Sequence, residues 1–304
     1  MTPDKLNRNL ERLRREIARK PSSYTSRYGE TIYDSFSIYT RTSTINLLLG
    51  TSEILHHYKW PFPAYALGDT KALWIIVIFT ATRSLKVGVK TRINKFLGIN
   101  NSGITTINDV LELHVNKLMP RMFLLCRKQI FSSFKKKSVF DGKDSLIDEV
   151  YNTFNKKYWY ACMVSTLPLL DLVVRKYLKT NNLNKGISAI LSMLRNAGIS
   201  SKDVKPGHAA WDAALEKGED GENAIKTDLR IVGVALGSFI DFAEIYYSFY
   251  NETGNEYTGE INRHAIVHCA AEDIWNRENA IKLIVFLDLV LRLEPALEIL
   301  LKEN

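Results

Sequence analysis

Apolar and polar positions follow a helical period along nearly the whole chain. Leu6, Leu10, Leu13 and Ile17 recur at spacings of four, three and four. That places one apolar stripe on a helix over residues 3–20. Arg8, Arg12, Arg15 and Arg19 crowd its other faces, so it reads as a surface helix docked by its leucines. A membrane-surface or nucleic-acid arm is the sharper alternative. Pro21, Ser22 and Ser23 end it. Further on, Ser145-Leu-Ile-Asp148 resembles a capping box and opens a helical pattern running toward Lys179. Pro168 inside that pattern predicts a kink or a split. Residues 180–186 predict a loop, and 187–196 a shorter helix closed by Gly198. The stretch 200–223 is rich in Gly, Asp, Glu and Lys and reads as an exposed connection. Thr227 to Tyr250 predicts a long apolar helix, and residues 251–261 a loop. A short helix starts at Asn262 or Arg263, and a final one near Asn276. In the final helix Leu283, Ile284, Leu287 and Leu291 make one stripe, and Phe286, Leu289, Val290 and Leu293 another. A helix apolar nearly all round is buried on several sides, inside a bundle or at a dimer interface. The expected fold is all-α.

Charge divides this picture. The 304 residues carry a net charge of +8, but residues 1–138 hold 23 Lys plus Arg against 9 Asp plus Glu, an excess of 14 positive charges. Residues 139–304 hold 18 against 24, an excess of 6 negative charges. The sign changes at residues 138–144 (SVFDGKD), a polar stretch with an Asp-Gly turn signal. A domain boundary is therefore expected there, between a basic, mostly helical region 1–138 and a helical domain 139–304. The basic half either contacts a polyanion through its phosphates or docks on the acidic half. Its clusters include residues 83–97 (RSLKVGVKTRINKFL) and Lys135, Lys136 and Lys137. Neither has an aromatic pattern strong enough for a stacking platform.

Composition excludes several classes. Hydrophobic residues at 46% and charged residues at 24% suit a packed globular chain rather than a disordered one. Cys126, Cys162 and Cys269 form no CxxC pair, which argues against a disulfide framework or a thiolate zinc site and for a reducing, cytoplasmic setting. The charged N-terminus does not read as a signal peptide. The most apolar run, Ala72 to Ala81, is too short to span a bilayer and reads as buried. No Walker loop, GxSxG or GxGxxG occurs.

The most informative segment is Asn262-Arg263-His264-Ala265-Ile266-Val267-His268. Asn262 suits an N-cap. Arg263 and His264 follow where free N–H groups and the helix dipole favour an anion. His264 and His268 are four apart and share a face. Arg263 and His268 are five apart and diverge by about 140° on a regular helix. Two copies meeting on a two-fold axis would bring an Arg and a His together where one helix does not. His264 and His268 at this spacing could also hold zinc, with Glu272 a distant third ligand, but HExxH is absent. His56, His57, His114 and His208 read as structural or exposed. Asp171 either contacts the catalytic face or pairs locally.

An Arg followed after four residues by His resembles the Arg-x4-6-His motif of the HEPN superfamily. The helix Asn279-Ala-Ile-Lys-Leu-Ile-Val-Phe-Leu-Asp288 and the upstream helix Tyr158-Trp-Tyr-Ala-Cys-Met-Val-Ser-Thr-Leu-Pro-Leu-Leu-Asp171 resemble those around it. The likeness covers residues 145–304 and leaves 1–138 unexplained. Cys269 departs from a glycine common after the motif histidine. The resemblance implies a helical bundle that dimerises and cleaves RNA with no metal or other cofactor. It implies Arg263 and His268 as catalytic residues, with His264 assisting, and a toxin or anti-phage role with an antitoxin or regulatory partner. Asn262, Lys135, Lys136 and Lys137 are the expected substrate-binding residues. The alternative is a non-catalytic HEPN module that dimerises or scaffolds, with the basic half binding nucleic acid.

Overall fold

A computed structural model of the chain describes residues 8, 12, 15, 38–68, 107–177, 187–196, 198–205, 223–246, 261, 263–268 and 272–301. The described residues form an all-α fold, with no strand among them. The helices with described bounds are α1 (Ile38–His57), α2 (Ile107–Lys135), α3 (Asp144–Asn155), α4 (Trp159–Tyr177), α5 (Ile187–Asn196), α6 (Ser201–Val204), α7 (Asn223–Tyr246), α8 (Arg263–His268) and α9 (Arg277–Leu301). Short 3-10 turns lie at Ala64–Gly68, Ser138–Phe140 and Glu272–Ile274. Arg8, Arg12 and Arg15 are helical, within the stretch expected to form the first helix. The apolar run Ala72–Ala81 and the cluster 83–97 lie outside the described residues. Among the described residues no helix is long and apolar enough to cross a membrane.

The final helix is the axis of the molecule. Asn276 caps it, its Oδ1 accepting the Asn279 N–H at 2.8 Å. Every residue from Asn279 to Leu291 is buried, because α4, α7, α2 and the 3-10 turn at Ala64–Gly68 surround it. The apolar circumference expected of this helix is therefore covered within one chain. Phe286 lies among Phe239, Phe242 and Tyr246 of α7, at ring-centroid distances of 5.8, 4.8 and 5.6 Å. The buried charged residues of α9 are paired. Lys282 meets Glu278 at 2.7 Å and lies 5.0 Å above the Trp60 ring. Asp288 accepts Arg292 Nε at 2.8 Å and the Tyr65 backbone N–H. Burial nevertheless raises the Asp288 carboxyl to about 7, against the opposing pull of Lys137 and that N–H.

Helices from both sides of residues 138–144 contribute to this one core. Residues 60–66 (WPFPAYA) are entirely buried. Pro61 and Pro63 bring no N–H inside, and the Phe62 N–H donates to Ser238 Oγ at 3.0 Å, so the strap enters without orphaned donors at these positions. α1 packs on α7. Lys205 lies across Gly237 of α7, where a Cβ would come within 2.6 Å of its stem, and reaches Asp241 at 2.7 Å. His56 Nδ1 lies 3.9 Å from the same carboxylate.

Several local expectations need correction. The helical pattern over 145–179 is two helices, broken at Lys156–Tyr158 by a left-handed Lys157 (φ 62°). Pro168 does not split α4. It is exposed, so the Val164 carbonyl it deprives of a donor faces the solvent side. No capping box forms at Ser145, because α3 starts one residue earlier and Ser145 is already helical. The box falls instead at Ser200 and Asp203, opening α6 inside the stretch expected to be a connection. α5 ends as expected at Gly198 (φ 68°), whose N–H returns to the Arg195 carbonyl at 2.8 Å.

Candidate active site

α8 is six residues long and sits on α4. Its attachment comes from Ala265 and Ile266, both fully buried, and from Ile261 just before it. Those apolar residues fix its rotation. Arg263 is half-buried, and Val267, one turn further on the same face, is 49% exposed. By register, positions 264 and 268 share a flank, and position 268 lies about 140° from Arg263. The side chains of His264 and His268, and all of Asn262, lie outside the described residues.

Asp171 of α4 lies within the electrostatic reach of Arg263 on α8. Burial pushes its carboxyl above the usual range, and the Arg263 and Arg175 guanidinium charges pull it back. The charge of the motif Arg thus acts on the carboxylate of the upstream helix, 92 positions away. Arg175 is the residue that sequence reasoning missed. Its signal was the i,i+4 spacing from Asp171.

The other expected residues lie elsewhere. Lys135 ends α2 and pairs with Asp148 of α3 at 2.6 Å, both half-exposed or nearly so, a contact worth little in water. Lys137 Nζ lies 3.5 Å from the Leu291 carbonyl of α9. Lys136 is exposed between them. The contacts of Lys135 and Lys137 are with α3 and α9 rather than with α8. Among the described residues no three His, Cys, Asp or Glu side chains gather as a metal-binding group. Cys126 and Cys162 are free thiols buried in the core, and burial raises the Cys162 thiol to about 12, which leaves it unsuited to attack at neutral pH.

Beyond α8, Tyr160 packs edge-to-face on Trp275 at 4.6 Å and keeps half its surface exposed. Compared with known proteins, the chain matches no protein-family model, no curated protein and no solved structure.

Proposed function

We propose that the chain is a metal-independent endoribonuclease of HEPN type, acting at Arg263 and His268. What supports the reading is the placement of Arg263: half-buried, at the start of the short helix that carries position 268, with its charge acting on Asp171 of α4. In the proposed reaction the ribose 2′-OH attacks its own 3′-phosphate, so the substrate supplies the nucleophile. His268 takes the 2′-OH proton or returns one to the departing 5′-oxygen, work that suits an imidazole titrating near neutrality. The planar guanidinium of Arg263 stabilises the charge building on the phosphorane. The P–O5′ bond breaks, leaving a 2′,3′-cyclic phosphate and a 5′-OH. His264 assists from the same flank.

Because Arg263 and position 268 diverge on one helix, the proposal includes a homodimer that pairs an Arg with a His across a two-fold axis. Its contact is α8, with Val267 on the exposed face, since α9 is already covered within one chain. The basic first 138 residues would add affinity for RNA, with Lys135, Lys136 and Lys137 able to exchange side-chain partners for phosphate. A cytoplasmic toxin or anti-phage effector held by an antitoxin or regulatory partner fits this chemistry. A second reading, a non-catalytic module that self-associates or scaffolds, is favoured by the exposure of Val267 itself.

Mixing Arg263→Ala with His268→Ala tests the composite site. If each centre needs one residue from each copy, heterodimers regain cleavage that neither variant has alone. Self-sufficient copies regain nothing. Arg263→Lys should also fail, since a point charge does not replace the planar fork. DNA should resist, lacking the 2′-OH. A dimer that never cleaves RNA would select the scaffold reading.

A further inference from the structure

Among the described residues the large exposed hydrophobics are Leu125, Tyr158, Tyr160, Val164 and Val267. Two of them, Tyr160 and Val164, lie on α4, and Val267 lies on α8, which packs on α4. Tyr160, Val164 and Asp171 lie on one face of α4, since positions four and eleven residues apart differ by about 40° and 20° on a helix. α8 packs on α4 with the Arg263 charge acting on Asp171. Arg175 lies one turn beyond Asp171 on α4, and Trp275 packs on Tyr160. The distance between the two ends is about 16 Å along the helix. One end carries the guanidiniums of Arg263 and Arg175. The other carries an aromatic ring half open to solvent and braced by the indole of Trp275.

We infer that this face of α4 is a track for single-stranded RNA, in which the phosphate at Arg263 is followed a few nucleotides away by a base stacked on Tyr160. The RNA rests on the function proposed above. The stacking site rests on its own observations: an exposed tyrosine, its edge-to-face brace, and cationic groups on the same face. Charge and chemistry favour RNA as the occupant. Guanidiniums suit phosphate, and every base offers a π-face to an aromatic side chain, whereas duplexes keep their bases stacked on one another. The two-fold contact proposed for α8 is centred away from Tyr160, which lies about 16 Å along α4 from Asp171.

The test uses the full chain and a labelled 2′-O-methyl hexanucleotide, which cannot be cleaved, together with the same oligonucleotide carrying one abasic position. Tyr160→Leu keeps apolar bulk against Trp275 and removes the π-face. Tyr160→Phe keeps the ring and loses only the hydroxyl. Tyr160→Leu should weaken binding about tenfold, within the range of base–aromatic stacking. Tyr160→Phe should bind like the wild type. The loss should shrink toward nothing on the abasic oligonucleotide placed in register. Circular dichroism and sedimentation should match the wild type in both variants. Equal binding by the leucine variant overturns the proposal. So does a Tyr160→Leu chain that changes oligomeric mass while binding RNA normally, which would make the face a contact between copies. Because the probe is not cut, loss of binding in Tyr160→Leu would support the track even if the chain proved catalytically inert. Cleavage with no Tyr160 effect would remove the track and leave the nuclease standing.

Discussion

The final helix and the six-residue helix before it follow one another within ten residues, yet they are built in opposite ways. α9 is wrapped by α2, α4, α7 and the buried strap, and its residues from Asn279 to Leu291 are all inside. α8 is held by Ala265, Ile266 and the preceding Ile261, and turns Arg263 and Val267 outward. The difference separates stability from chemistry. Substitutions in α9 should act on folding, and those on the outer face of α8 should act on function alone.

The largest stability effect is expected at Phe286. Truncation to alanine removes a ring that touches three aromatic side chains of α7, and should cost about 3–5 kcal/mol in denaturant unfolding. A loss below about 1 kcal/mol would mean that α9 is not the axis of the core.

Asp288 gives a pH signature to the same helix. Its folded carboxyl is raised from 3.8 to about 7 by burial, so the folded chain binds a proton that the unfolded chain has released between those values. Its contribution therefore favours folding most at the acid end and is lost as pH rises from 3.8 to about 7. Arg292 at 2.8 Å favours the charged form, but its side chain is partly exposed while Asp288 is buried, so desolvation decides the direction. Asp288→Asn should flatten the pH dependence of the urea midpoint relative to wild type across that window. Parallel curves would remove Asp288 as the cause.

A smaller effect is expected at Gly237. Its alanine variant gains about 1 kcal/mol of helix propensity but displaces the Lys205 stem from its bond to Asp241, which costs about 1–3 kcal/mol. A net loss of about 1 kcal/mol in thermal or urea unfolding follows. Stabilisation would show that Lys205 reaches Asp241 by another path. Smallest of all, Arg263→Ala should shift stability by less than about 0.5 kcal/mol, even though it should abolish cleavage. A large shift would make Arg263 a structural residue and weaken the contrast between the two helices.

Sequence patterns carried the long-range plan better than the local punctuation. α9 was readable because apolar residues on every side leave a helix few places to go. α8 was readable because Asn262 and the Arg263–His268 spacing stand between a polar loop and an apolar triplet. The break before Tyr158 was not readable, since Lys157 takes a left-handed turn without glycine. Pro168 leaves its helix unsplit because its cost depends on which side of the helix it faces. The strap at 60–66 looks like a loop in sequence, and only its contacts with α7 and α9 show why two prolines suit it. The charge influence of Arg263 on Asp171 spans 92 positions, and no local rule reaches that far.

The central claim is that α8 carries RNA chemistry at Arg263 and His268. It is tested most directly by incubating labelled RNA with the full chain in EDTA, beside His268→Ala at equal concentration. The account predicts cleavage by the wild type with 2′,3′-cyclic phosphate ends. It predicts a loss of about a hundredfold to ten-thousandfold in the variant, the contribution of a general acid–base group, with an unchanged circular dichroism spectrum. Full activity in the His268→Ala variant, or cleavage that appears only when a divalent metal is added, would contradict it.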